Sequence, residues 1–439
     1  MTYTSAVDGR TGSVGLDPYR LIEPVEALFG SLFFYRSPDP PGRRSYLLAS
    51  LEGAWEVRAS GLYRQGRRVP GSPTRHIDRL LRSATEEAGE LVFALAYDGL
   101  RAPPARPGGT VSDDRLLGFV ARVAAAVRYD ESDDTVRISG DDGLRAEAER
   151  IVERVRAEPA PALLSRATPL CDVLSRLDEA RYTEQLEAVR GHLRRGDVYQ
   201  AVISQSVRVR PRMPLTEYFR QISHRYRYAD YSYWVSLGGQ GFFGACSLPH
   251  LSVTGDRVST RVFAGTQPAA RDDAELAVLR ERLRADSKYF AEHVMLVDLE
   301  RNDLGKFCAP ASVSVCDMLE PTVIGPTTYL ATTVRGRLAR PALDVAAVLG
   351  NFPRGVVTGA PKARAQRLLD EIEDVPRGFY SGAVGWYRGA GADLVSSTVV
   401  TCGVREGDDV LLRCAGGVTV ESSAEQELRE LQLKLAFLV

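Results

Sequence analysis

Glu427, Glu430 and Lys434 recur at i, i+3 and i+7, while Leu428, Leu431, Leu435 and Leu438 recur at another phase of the same stretch. In a helix, that spacing puts the charges on one face and the leucines on another. Ser423, followed three residues later by Gln426, supplies a capping-box start. The charges permit two readings. One is a solvated face with a Glu430–Lys434 pair at i, i+4. The other is a pair of carboxylates placed to bind a hard cation. Upstream, residues 286–305 (DSKYFAEHVMLVDLERNDLG) read as a second helix with Tyr289, Glu292 and Leu296 on one side. Glu292 could then join Glu427 and Glu430 around one Mg2+, an ion that takes carboxylate oxygens and keeps positions open for substrate. Spacing alone does not bring the two helices together.

Two glycine-bearing segments are candidate anion sites. FAGT (263–266) follows a strand-like run, and CAGGV (414–418) follows VLLRC. Bare backbone N–H groups at such turns can hold a carboxylate or phosphate, although most glycine pairs only turn the chain.

The elements that must position these residues read as α+β. Tyr182, Leu186, Val189 and Leu193 mark an amphipathic helix that ends at Gly196-Asp197, and VYQAVISQSVRVR follows as a long strand. SYLLASLEG and GELVFALAY are strand candidates nearer the start. RAPPARPGG (101–109) and EPAPALLSRATPL (158–170) break regular structure. Residues 1–170 are expected to be an N-terminal scaffold part and 175–439 the part that carries chemistry. No strand is followed by GxGxxG, GxxxxGK[ST] or GxSxG, which removes the common nucleotide and hydrolase readings.

Composition narrows the class. A chain of 439 residues suggests two or three domains or one large body. The 56 Lys+Arg against 57 Asp+Glu leave no basic excess for nucleic acid. Only Lys288, Lys306, Lys362 and Lys434 are lysine, so each surviving ammonium is of interest among the arginines. Six cysteines without CxxC spacing read as buried thiols in a reducing compartment. The start has neither a basic n-region nor an apolar h-region, and no apolar run reaches membrane-spanning length. A cytoplasmic location with no membrane partner is expected.

Taken in order, GDVYQAVISQ (196–205), FAGT, AEHVMLVDLERNDLGKF (291–307), TTVRGRL (332–338), FPRGVVTGAPKARAQRLLDEIE (352–373), RGFYSGAVGWY (377–387) and CAGGVTVESSAEQELRELQLK (414–434) resemble the chorismate-utilising enzymes. That family includes the anthranilate synthase large subunit and the aminodeoxychorismate, isochorismate and salicylate synthases. The resemblance is firm over 175–439 and looser before. It implies a large two-sheet β-sandwich core with helices packed outside. It also implies a Mg2+-dependent reaction in which a nucleophile adds to the chorismate ring and the ring hydroxyl leaves. By the same resemblance Glu292, Glu427 and Glu430 hold Mg2+ directly or through water, and Lys434 lies at the same cluster. Gly265, Thr266, Gly416 and Gly417 surround the substrate, and Tyr380 lies near the enolpyruvyl carboxylate.

Departures from the family pattern fall at positions of chemistry. Where the family has Pro-Glu, with the carboxyl as general acid, this chain has Pro249-His250. His250 is the expected replacement acid, given an ordinary histidine pKa of about 6.5. A helix carboxylate becomes Tyr289, a family histidine becomes Tyr329, and an enolpyruvyl-binding arginine becomes Thr401. Lysines that activate water or attack the ring in some members are Ala201 and Ala264. The two alanines favour ammonia, supplied by a separate glutaminase subunit or from solution. The expected activity is therefore anthranilate-synthase-component-I-like, with pyruvate elimination left open. The alternatives are salicylate- or isochorismate-synthase-like chemistry, a repurposed enzyme acting on a modified chorismate-derived substrate, and a non-catalytic binding protein.

Overall fold

The computed structural model describes residues 15–439 except 40–42, 52, 59, 72–74, 77, 78, 80–82, 84, 85, 87, 88, 100–115, 271, 325, 326, 341–350, 390–392, 437 and 439. The side chains of residues 39, 43, 265, 266, 273 and 287–289 are also outside the description. The break expected at 101–109 lies outside the described residues.

Two antiparallel sheets form the α+β body. The first runs Cys171–Val173, Gln200–Pro211, Asp409–Val418, Cys402–Glu406, Gln240–Cys246, Tyr231–Leu237, Leu32–Asp39, Arg43–Ala49, Ala126–Asp130, Thr135–Ser139. The short strand Gly359–Ala360 pairs with Gln200–Pro211 beside this path. The second runs Ser314–Ile324, Thr327–Arg337, Arg257–Pro268, Pro249–Thr254, Asp393–Thr398, Ala383–Arg388, Glu90–Leu95, Leu116–Arg122, Trp55–Arg58, Gly61–Arg64, Arg67–Val69. Strands from the first 140 residues therefore extend both sheets. Residues 158–170 carry no regular structure and lead from the helix Asp142–Ala157 to the edge strand Cys171–Val173.

One hydrophobic cluster draws on both sheets, with Phe33, Tyr233 and Phe242 from the first meeting Phe93, Val262 and Val384 from the second. A second cluster fills the space between the first sheet and its helices, using Tyr182, Leu186 and Val189 with Leu431, Leu435 and Leu438. Burying apolar faces in two layers is what an amphipathic helix and a sheet each require. The leucine stripe of the last helix, Ala424–Ala436, thus packs inward, and Ser423 caps that helix by accepting from the Gln426 N–H at 3.3 Å.

The strand Gln200–Pro211 shows alternation only in part. Residues 200–204 are buried on both faces, because the other sheet covers Val202 while helices cover Ala201 and Ile203. The helix before it, Glu179–Arg194, is capped by Asp178 and released at Gly196, whose φ of 74° suits glycine. No helix among the described residues is long and apolar enough to cross a membrane.

Candidate active site

The glycine segments differ from their reading as turns. CAGGV lies inside the strand Asp409–Val418, with Gly416 opposite Ile203 and Gly417 opposite Val202. FAGT lies in the strand Arg257–Pro268, where the register slips between Ala264 and Gln267. The pairing partners lie far off in sequence, so local composition carries no signal of them. What requires glycine at 416 and 417 is close approach. A Cβ on Gly417 would sit 2.9 Å from Gln200 Nε2, and one on Gly416 would sit 3.0 Å from Glu427 Oε2.

Those contacts gather the carboxylates from two sides. Gln200, 3% exposed, donates to Glu292 Oε1 at 2.9 Å, which ties the helix Ser287–Gly305 to the glycine pair. Glu427 reaches Gly416 from the last helix, and its Oε2 is buried. The Tyr182 hydroxyl lies 3.6 Å from the same Gly416 Cβ position, buried and without a hydrogen-bond partner among the described residues. Burial first, then the charges of Glu427 and Glu430, push the Tyr182 phenol well up, so it stays a neutral donor.

Glu430 and Lys434 pair at 2.6 Å, and the Lys434 ammonium also donates to the Ala415 carbonyl at 2.8 Å. Burial opposes the lysine charge, and Glu430 overcomes it, so the Lys434 pKa is raised. Tyr329 is close enough to feel both charges, although burial is the main cause of its raised pKa. The solvated-face reading of the last helix is thus right about the Glu430–Lys434 pair and incomplete about Glu427.

Tyr380 is buried, under the guanidinium of Arg377 at 6.0 Å, and burial followed by the neighbouring Cys414 raises its pKa well above the usual phenol range. It can donate a hydrogen bond but not ionise. Thr401, with φ 53°, leads into the strand Cys402–Glu406. Arg413, cross-strand from Cys402, is committed to the carbonyls of Val375 and Pro376. The side chains of Thr266 and Tyr289 lie outside the described residues.

His250 departs from the expected charged acid. It is 1% exposed, and burial followed by the Arg354 charge lowers its pKa to about 3. Its Nδ1 lies 3.4 Å from Ser396 Oγ, and its Nε2 is buried without a partner among the described residues. Near neutral pH it is an uncharged imidazole with a single N–H to offer. Protonation at its ordinary pKa is what burial removes.

The donor set suits a hard cation: carboxylate oxygens, a buried phenol and a cradle that a methyl group would fill. Among the described residues, no three of His, Cys, Asp and Glu are gathered as a ready ligand set. The structure brings Glu292 and Glu427 to adjacent glycines and leaves Glu430 paired with Lys434. Gln200 and Tyr182 are the functional candidates that the sequence patterns passed over. Tyr182 reads there as one member of an apolar stripe, and a lone amide has no periodicity.

Gly417→Ala tests the cradle. The added methyl must displace the Gln200 amide and with it the bond to Glu292, while the backbone conformation tolerates alanine. The expected result is a folded protein with thermal unfolding close to the parent and weakened Mg2+ binding by calorimetry. Unchanged binding would show that the close approach has no bearing on Glu292.

The model of the chorismate binding enzyme family matches residues 33–439, and the chain belongs to that family. It is 34% identical over 388 residues to anthranilate synthase component 1 of Streptomyces coelicolor, covering 82% of this chain and 72% of that protein. It is 33% identical over 270 residues to an aminodeoxychorismate synthase of Streptomyces pristinaespiralis, covering 61% of this chain and 37% of that protein. Among solved structures, anthranilate synthase component I from Streptococcus pneumoniae superposes with a TM-score of 0.76 at 23% identity, over 92% of this chain and 93% of that one. The fold and the family are those implied by the motif order, and the protein is a chorismate-utilising enzyme.

Proposed function

We propose that this enzyme adds ammonia to the ring of chorismate or a close derivative, in the manner of anthranilate synthase component I. A C–N bond forms, the ring C–O bond breaks, and the hydroxyl leaves as water, its proton balanced by the one that the attacking ammonia loses. The observation that carries this reading is the approach of Glu292, through Gln200, and of Glu427 to the neighbouring glycines 417 and 416. In a chorismate-utilising chain, that arrangement suits a metal-bound ring carboxylate.

Glu292, Glu427 and Glu430 would hold Mg2+, which supplies charge compensation for the substrate carboxylate. Lys434 neutralises Glu430 and fixes its orientation beside the Ala415 carbonyl. Backbone groups of Gly265, Gly416 and Gly417 and the hydroxyls of Thr266 and Tyr380 orient the substrate. His250, neutral, offers its N–H as a hydrogen bond to the departing hydroxyl and does not carry a positive charge into the site. Ala201 and Ala264 are buried and present no amine, which supports ammonia as the nucleophile over lysine-activated water or a covalent lysine. A separate glutaminase subunit or free ammonium supplies it. Six free cysteines fit the reducing cytoplasm.

Incubation with chorismate, Mg2+ and ammonium tests the reading. Chorismate loss that needs both additions, with an amino product by mass spectrometry, is expected; no loss overturns it. Thr401 and the placement of Tyr329 beside Lys434 favour a second reading, a modified chorismate-derived substrate. Turnover of isochorismate or an amino derivative in preference to chorismate would establish it.

A further inference from the structure

Arg354 is 1% exposed, and its guanidinium reaches three elements at once. Nε donates to Glu300 Oε1 at 3.0 Å, Nη2 donates to the Arg261 carbonyl at 2.9 Å, and Nη1 donates to the Pro249 carbonyl. Glu300 lies on the helix that carries Glu292, eight residues away, or about 12 Å along the axis. Pro249 immediately precedes His250. Arg261 lies in the strand that carries FAGT. The same loop adds Phe352, whose ring meets the His250 ring edge-on at 6.2 Å, and Asn351, whose amide lies 3.5 Å from the His250 carbonyl.

A buried ion pair is weak as a source of stability, because desolvation of both charges offsets their attraction. Glu300 shows the cost: its Oε2 is buried with no hydrogen-bond partner among the described residues, and burial raises its pKa against the opposing Arg354 charge. A pair held under those terms is better explained by what it fixes than by what it stabilises.

We propose that Arg354 is a positioning residue of the chorismate site, whose one guanidinium locks the helix bearing Glu292, the strand bearing His250 and the strand bearing Gly265 and Thr266 into a common geometry while placing a positive charge beside the His250 ring. Fixed donors of this kind matter because a misplacement of about 1 Å can cost on the order of 10²-fold in rate. The charged groups acting on His250 are Arg354 and Lys362, and each has its own buried carboxylate, Glu300 and Asp303. The proposal rests on His250 belonging to the site, but the His250 ring can be followed without any substrate.

Three variants and one measurement on the parent protein test it. Arg354→Lys keeps the charge, but one nitrogen cannot span the three acceptors that Nε, Nη1 and Nη2 reach separately; kcat is expected to fall about 10²-fold, with His250 still neutral. Arg354→Met with Glu300→Leu removes both charges together, which buried pairs tolerate. In that variant the His250 ring, assigned by NMR against His250→Asn, is expected to titrate higher than in the parent but still below 6.5, because its burial remains, and the acid side of the pH–rate profile moves up with it. A folded double variant with parental kcat, KM and pH profile would overturn the proposal. In the parent protein His250 is expected to show no titration between about pH 5 and 8; an inflection there would also overturn it, whether or not the variants fold. If chorismate is not the substrate, the ring titrations still hold, which separates this proposal from the functional reading.

Discussion

Glu427→Gln is expected to lower Mg2+-dependent turnover by about 10²–10³-fold, the scale for losing one oriented charge partner in a preorganised site. The substitution keeps the side chain's shape, so the helix Ala424–Ala436 still packs through Leu431 and Leu435. What disappears is a negative charge beside Gly416 and Tyr182. Two readouts besides activity follow. Mg2+ affinity by calorimetry falls, and the Tyr182 phenol, held up partly by that charge, ionises at lower pH. Glu425→Gln on the exposed side of the same helix, where Glu425 pairs with Arg429, serves as the control and should change neither. Parental Mg2+ affinity in Glu427→Gln would remove this residue from the proposed metal site and leave Glu292 and Glu430 as its candidates.

Local pattern and tertiary placement divide unevenly in this chain. The last helix was legible because its signals are local: Ser423 caps it, and Leu431 and Leu435 face the core at helical spacing. The motif order identified the family because each block keeps its own residues whatever surrounds it. The glycines at 416 and 417 were legible as a candidate anion site at a turn but not as strand, since their partners, Ile203 and Val202, are more than 200 residues away. His250 illustrates a different gap. Residue type sets an ordinary pKa, while its protonation depends on burial and on Arg354, and neither is written in the neighbouring sequence. Arg354 itself is one arginine among many, distinguished only by the three groups it reaches. The scarce lysines were a better guide: Lys362 and Lys306 both bind the buried Asp303, and Lys434 binds Glu430.

The largest stability effect is expected at Glu373, whose carboxylate lies behind the glycine-bearing strand pair. Glu373 Oε1 accepts from the Ser204 N–H at 2.8 Å and from Arg377 at 2.7 Å, and Oε2 accepts from Arg377 Nε at 2.9 Å. Arg377 in turn donates to the carbonyls of Val202 and Val357. Val202 faces Gly417 and Ser204 faces Ala415, so this buried pair braces the strands that present the glycines. Glu373→Ala leaves the guanidinium uncompensated in the interior, which costs about 3–5 kcal/mol, more than an exposed pair can contribute. Denaturant unfolding at neutral pH measures it, and a loss below about 1 kcal/mol, the scale of a surface pair, would refute the bracing role. Acid gives the sign a second check. Burial alone would raise the Glu373 pKa, but Arg377 first, then Arg413 and the Ser204 N–H, hold it below its ordinary value of 4.5. A depressed carboxylate contributes stability that is complete above its unfolded pKa and lost as pH falls through its folded one. The gap between parent and Glu373→Ala should therefore be widest at neutral pH and close below about pH 4.5. A gap that stayed constant into acid would mean that the carboxyl group's contacts, not its charge, are what the fold requires, and one that widened would mean a raised pKa in place of a depressed one.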